Sequence, residues 1–253
     1  MKKLLTALLV AGLVGCSGSS ESEKPVKIEK EITEEKAVTG GIAITIDDGV
    51  SLPFLIENLD IFDRYDAKAT FYMSHYNESM NDDLLMLQRN GFEIGHHSRY
   101  HKNAVTESSK VGVEKWLESE VLNPLSRMVG SGIDVQTFAY PFGHYTEETN
   151  EALKPYFSHV RGFTITNTGD YSEGFNYENY FYMGVSVDTK WLDRVMLMNA
   201  MDRASTTSET LILAIHVISE NWQNNFKITP ADLEFIVKYA SEIGLEFKLM
   251  REL

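Results

Sequence analysis

"GIAITIDD", residues 41–48, is an apolar run rich in isoleucine that closes on two carboxylates. Its composition reads as a β-strand whose carboxyl end carries charge. The same kind of run recurs as "KATFYMS" (68–74), "FEIGHH" (92–97), "VQTFAYP" (135–141), "HVRGFTIT" (159–166), "YMGVSVD" (182–188), "LILAIHVI" (211–218) and "LEFKLM" (245–250). Between most of them lie stretches with helical periodicity: residues 81–90, 108–129, 146–157, 189–204 and 229–243. Helix starts are marked by Thr146 with Glu147, Glu148 and Thr149, and by Thr229, Pro230 and Asp232. Strand and helix alternate, which predicts an α/β chain built on a parallel sheet or a β/α barrel.

The polar residues at the ends of these runs carry the functional signal. Asp47 and Asp48 close the first, His97 the third, "YPFG" (140–143) the fourth, Asp188 the sixth and His216 the seventh. In a β/α barrel the carboxyl ends of the strands share one face, where active sites are built. These residues, distant in sequence, are therefore expected to meet.

At 253 residues, 43% of them hydrophobic, the chain is long enough for one large α/β domain. Its formal net charge of −14 disfavours nucleic acids and other polyanions as partners, but not a neutral glycan. "MKKLLTALLVAGLVGC" opens with Lys2 and Lys3, runs apolar from Leu4 to Val14 and ends on Cys16, the only cysteine. The run is too short for a permanent span and reads as a secretory signal over residues 1–15. "LVGC" resembles the lipobox of bacterial lipoproteins. That resemblance implies lipidation at Cys16, a membrane anchor and a place in the bacterial cell envelope; Ser17 next to it points to the outer membrane, facing periplasm or exterior. Residues 16–39 are polar and charged and read as a flexible tether. The domain is expected over 40–253.

"GHHSRYH" (95–101) places His97 and His101 four apart, a spacing that lets two imidazoles converge on one point. With Asp48 they make two imidazoles and one carboxylate, a donor set that suits Zn²⁺ or a similar divalent ion. Non-haem iron oxygenases use the same set, usually with the carboxylate two residues after the first histidine; here it lies far upstream. Adjacent aspartates at a strand end point to opposite sides, so Asp47 is free for a separate role. A spare carboxylate beside such a site suggests hydrolysis. Taken alone, Asp-Asp-Gly is also a common turn.

"TIDDG" (45–49), "HSRYH" (97–101), "FAYPFG" (138–143) and His216 resemble, in order and approximate spacing, the polysaccharide deacetylases, the NodB-homology domains of carbohydrate esterase family 4. The resemblance covers about residues 40–253. It implies a distorted (β/α) barrel of about seven to eight strands and metal-dependent removal of acetyl groups from an N-acetylated polysaccharide or oligosaccharide: chitin-like, poly-N-acetylglucosamine or peptidoglycan. By motif it implies Asp47 as general base, His216 as general acid, and Asp48, His97 and His101 as ligands of a divalent metal, Zn²⁺ first, with Co²⁺ or Ni²⁺ as alternatives. The backbone N–H of Phe142 would stabilise the oxyanion, with Tyr140 and Pro141 in the same motif. "VDTKW" (187–191) is similar to the family's Asp-x-x-Trp segment, so Asp188 would orient His216 and Trp191 would line the acetyl pocket, or else serve as core. An O-acetyl esterase of xylan and a glycan-binding protein with weak turnover are the alternative functions.

One departure stands out. Many family members carry an arginine against the base at the position of Ala139. Its absence predicts an Asp47 less depressed in pKa than in those relatives, and a need for higher pH. The other histidines have plainer readings: His75 and His96 as neighbours of the groove, His144 in support of the site, His159 as structural. Tyr76, Tyr100, Tyr140, Phe142 and Tyr145 fall on strand-end loops, where aromatic faces either stack on sugars or simply pack.

The tether separates lipid from domain and carries no site residue, so Cys16→Ser should release the protein from the membrane fraction without changing its catalytic rate. Membrane fractionation in high salt measures this; a variant that stays bound would mean a different anchor.

Overall fold

Every strand-forming run named above becomes a strand in the computed structural model, which describes residues 40–166, 169–176 and 180–253. The signal, Cys16 and the tether lie outside the described residues. In chain order the elements are β1 (Gly41–Asp47), α1 (Leu52–Glu57), α2 (Leu59–Arg64), β2 (Ala69–Met73), α3 (Asn81–Arg89), β3 (Glu93–His96), α4 (Ala104–Val111) and α5 (Val113–Trp116). A π-helical stretch (Leu117–Leu122), α6 (Asn123–Gly130), β4 (Val135–Ala139), α7 (Glu147–Leu153), β5 (His159–Thr164) and β6 (Phe175–Asn176) follow. The last are β7 (Phe181–Ser186), α8 (Arg194–Ser205), β8 (Thr210–Ile215), β9 (Val217–Ile218), β10 (Lys227–Ile228), α9 (Pro230–Glu242) and β11 (Glu246–Phe247).

Seven parallel strands close the barrel in the order β1-β2-β3-β4-β5-β7-β8, and β8 pairs back onto β1 from Gly41↔Thr210 to Ile46↔Ile215. The eighth run contributes only β11, a two-residue partner laid beside β1. The stretch between β1 and β2, where no helix is expected from the segments above, forms α1 and α2, with Pro53 in the first turn. The expected helix over 108–129 is broken. Gly112, at φ 88°, ends α4, and the chain then passes through the π-helical stretch before Pro124. The two N-caps are as read: Thr146 accepts the N–H of Thr149, and Thr229 that of Asp232.

Strand alternation sorts side chains into two layers. Ile42, Ile44 and Ile46 of β1 pack outward against the helices with Phe71, Ile94, Phe138, Leu211 and Leu213. Ala43, Tyr72, Ala139, Tyr182, Ile212 and Met250 form a second cluster inside the barrel. Space is tight there: a Cβ on Gly95 would lie 2.4 Å from the Tyr72 ring. The barrel's amino-terminal end is closed by the C-terminal turn. The buried carboxylate of Glu93 accepts hydrogen bonds from Thr70 (2.8 Å), Thr137 (2.7 Å) and the N–H of Arg251 (3.1 Å). The carboxyl ends of the strands remain for the site.

Candidate active site and metal centre

The inward parity of β1 runs Ala43, Thr45, Asp47, so the first carboxylate faces the barrel interior and is buried. Asp48 follows the strand and should face away, but its φ of 73° turns the chain, and both carboxylates line one cavity of about 500 Å³. Such a φ is uncommon outside glycine. The adjacent aspartates thus share a cavity, through backbone strain, instead of facing opposite sides.

His97 and His101 line the same cavity. Their Nε2 atoms lie 3.6 and 3.1 Å from Asp48 Oδ1, and the potential ligand atoms of the three side chains fall within 4.8 Å of one another. The Nδ1–H of His97 donates to the carbonyl of Ala139 at 2.7 Å, which leaves its Nε2 lone pair aimed at the cluster. Burial pushes the His97 pKa down to about 4 against the pull of Asp47 and Asp48, and lowers that of His101 as well. Neutral imidazoles and an anionic oxygen converging on one point fit a divalent ion, and an N₂O set suits zinc.

On the other side, His216 N–H and Nδ1–H both donate to Asp188, at 3.1 and 2.8 Å, and Ser186 Oγ donates to the same carboxylate at 3.0 Å. Asp188 is fully buried. Burial disfavours a charged His216, but Asp188 first, then Asp47 and Asp48, outweigh it and hold its pKa above the ordinary imidazole value. Nε2 is the ring nitrogen left for the cavity.

The arginine absent at position 139 has a substitute that sequence reading missed. Ala139 on β4 is the register partner of Arg161 on β5. The fully buried Arg161 guanidinium donates through Nη2 to both Asp47 oxygens, at 2.5 and 2.6 Å, and lies over the Tyr72 ring. Gly184 on β7 makes room for it, since a Cβ there would come within 2.9 Å of Nη1. Burial alone would raise the Asp47 pKa; Arg161, His97 and His216 overcome that and lower it. The premise that Asp47 lacks a fixed positive charge is therefore corrected: the charge comes from the next strand. A lone arginine inside "HVRGFTIT" was the available signal, because a buried guanidinium demands a carboxylate.

The rest of the motif divides by parity. Phe142, at φ 62°, is half-exposed on the cavity wall with its ring 4.7 Å from that of His101. Tyr140 faces outward and is buried, its hydroxyl bonded to Thr149 and Asn150, and Pro141 is buried beside it. Neither lines the cavity. Trp191 sits behind Phe226, ring to ring at 5.1 Å, and it is Phe226, with Phe163, Trp222, Asn224 and His144, that forms the wall. Nothing in the polar loop "SENWQNNFK" (219–227) had marked Trp222, Asn224 or Phe226. His96 is buried and stacked on Phe138, His75 is exposed, and His159 packs on Tyr182. Tyr76 is buried, while Tyr100 and Tyr145 are exposed.

Residues 34–156, just under half the chain, match the model of the family described as polysaccharide deacetylase. A peptidoglycan-N-acetylglucosamine deacetylase from Bacillus cereus is 33% identical over 92 residues, 32% of this chain and 43% of that protein. The chain thus aligns with less than half the length of this curated relative. Among solved structures, peptidoglycan deacetylase PdaC from Bacillus subtilis superposes with a TM-score of 0.56 at 17% identity, over 85% of this chain and 89% of that one. The Xyl-CE4 domain of a multidomain xylanase from the hindgut metagenome of Trinervitermes trinervoides gives 0.55 at 21%, over 85% and 89%. A CE4 family pseudoenzyme from Bacillus anthracis gives 0.59 at 19%, over 86% and 66%. At these identities the likeness is one of fold, and it places this barrel among the NodB-like (β/α) barrels.

Arg161→Met should lower the free energy of unfolding by about 3–5 kcal/mol, because it strands a buried carboxylate. Adding Asp47→Asn should recover much of that loss, since the lone charge goes too. Urea denaturation of the single and double variants reads the coupling; additive losses would mean that the pair is not the interaction described.

Proposed function

We propose, with a polysaccharide deacetylase domain as the premise, that this chain is a metal-dependent hydrolase that removes acetyl groups from an N-acetylated glycan. The observation that carries this reading is a pair of oppositely poised groups beside one donor cluster: Asp47 held anionic by Arg161, and His216 held toward its protonated form by Asp188. Two titratable groups pushed apart by their surroundings are the mark of separate base and acid.

Asp48, His97 and His101 would hold the ion, which when bound supplies Lewis-acid polarisation of an acetyl carbonyl. Asp47 takes the proton of the attacking water, and Arg161 fixes which way its oxygens point. His216 gives a proton to the departing amine through Nε2, and Asp188 holds its tautomer. The Phe142 backbone N–H is the proposed oxyanion donor. Phe163, Phe226 and Trp222 offer apolar faces to the acetyl group and the sugar ring, in the place expected of Trp191.

The name of the Bacillus cereus relative favours an N-acetylglucosamine polymer over acetylated xylan. A glycan-binding protein would not need an acid and a base so placed. Among the described residues no helix is long and apolar enough to cross a membrane. In this reading Cys16 provides the attachment, through its lipid, at the cell envelope.

Acetate release from chitin oligomers, poly-N-acetylglucosamine, peptidoglycan and acetyl-xylan, with and without chelator, is the direct test. The N-acetylated substrates should release acetate and lose that activity with chelator; release from xylan alone would overturn the substrate class. Asp47→Asn should keep its metal and lose turnover by about 10²-fold or more. In Asp188→Asn the His216 pKa should fall, so the alkaline limb of the kcat/KM profile should move to lower pH. A raised folded-state pKa stabilises fully below the unfolded value of about 6.5 and ceases to do so as pH rises through the folded pKa. The pH-dependent part of the stability lost in Asp188→Asn should therefore be largest in acid and disappear on the alkaline side.

A further inference from the structure

The loop that carries His101 is strained and must be held. Ser98 and His101 both have left-handed φ, 61° and 52°, in residues with a Cβ. One residue outside the cavity meets this loop at three successive points. The carbonyl of Glu120 accepts the N–H of Arg99 at 2.7 Å, its Oε2 accepts the N–H of Tyr100 at 3.0 Å, and its Oε1 lies 3.2 Å from Lys102 Nζ. The Glu120 side chain is buried, with about one hundredth of its surface exposed.

The chain makes both acceptors available by local chemistry. Glu120 lies in the π-helical stretch Leu117–Leu122. In an α-helix its carbonyl would take the N–H of the residue four ahead, but that residue is Pro124, which has none. The freed carbonyl turns to Arg99. π-Helical insertions often mark functional sites, and this one presents a main-chain and a side-chain acceptor to the same loop.

We propose that Glu120 is a positioning residue for the metal centre: through Arg99, Tyr100 and Lys102 it holds the Ser98–Lys102 loop in the conformation that delivers the His101 imidazole to Asp48 and His97. This rests on the metal-site reading, not on the identity of the glycan.

The test is the zinc dissociation constant of the full chain, measured by competition with a chromophoric chelator at a temperature where each variant is folded by circular dichroism. Glu120→Ala should weaken zinc binding about 10–100-fold, the usual cost of losing a partner that orients a ligand. Glu120→Gln, whose amide oxygen still accepts from Tyr100 but which gives up the charge facing Lys102, should lose clearly less affinity than Glu120→Ala. If Glu120→Ala does not fold, Glu120→Asp carries the test, since its shorter carboxylate falls short of Tyr100 and should also bind zinc more weakly. The melting temperature of the metal-free variants is recorded beside these values, because a merely structural role would lower it and leave the zinc constant alone. Wild-type affinity in Glu120→Ala, or in Glu120→Asp in its place, overturns the inference, as does a Glu120→Gln as weak as Glu120→Ala. Wild-type protein that takes up no zinc would instead sink the metal-site reading beneath it.

Discussion

A carboxylate and a guanidinium meet inside the barrel with essentially no exposed surface: Asp47 from β1 and Arg161 from β5. Neither charge is tolerable there alone, because desolvation of an unpaired ion costs several kcal/mol. Their neighbours answer that constraint. Ala139 and Gly184 are small where the guanidinium passes, and Tyr72 places a ring face against it. The pair consumes all of Asp47's freedom of orientation and leaves its charge intact, which is what the proposed base beside the donor cluster requires.

The mouth of the barrel is organised by strain. Six non-glycine residues have positive φ among the described residues, and Asp48, Ser98, His101 and Phe142 are four of them. Each lies in the cavity wall or in the loop that feeds it. Such conformations persist only where surrounding contacts over-determine them. Glu120 supplies those contacts for the His101 loop. For Asp48 they include the bonds around Gly49: its N–H meets Ser74 Oγ, and a Cβ on it would collide with the Ser74 carbonyl at 2.1 Å.

The two sides of the cavity use opposite electrostatics within a short distance. Buried His97 and partly buried His101 are kept neutral, so their lone pairs are available to a cation. His216, also buried, is biased toward its charged form because Asp188, joined by Asp47 and Asp48, outweighs the burial that opposes the charge. Of the four imidazoles that line the pocket, two differ in the partner that Nδ1 meets, a carbonyl for His97 and a carboxylate for His216, in keeping with their proposed roles as ligand and acid. The strongly acidic chain around them disfavours nucleic acids and other strong polyanions and leaves a neutral sugar backbone open as a partner.

Along the chain, alternating strand and helix gave a parallel α/β arrangement, sheet or barrel, the motif resemblance selected the barrel, and the polar ends of the runs gave Asp47, Asp48, His97, Asp188 and His216, because strand periodicity and parallel connection are local rules. The same parity also contained, unread, the outward fate of Tyr140: a residue next to inward-facing Ala139 must point the other way. What sequence could not supply was anything set by lateral register between strands. That Arg161 lies beside Ala139, and so replaces an arginine missing from its own strand, depends on how β4 and β5 slide against each other. Nor could it show that Phe226 stands before Trp191, or that Asp48 turns back toward Asp47, since loop packing and a left-handed φ follow from the closed structure. Local patterns decide which residues reach the open end of the barrel; only tertiary contacts decide which of them touch, because the partners are strands apart and the strain that joins them is sustained by the whole fold.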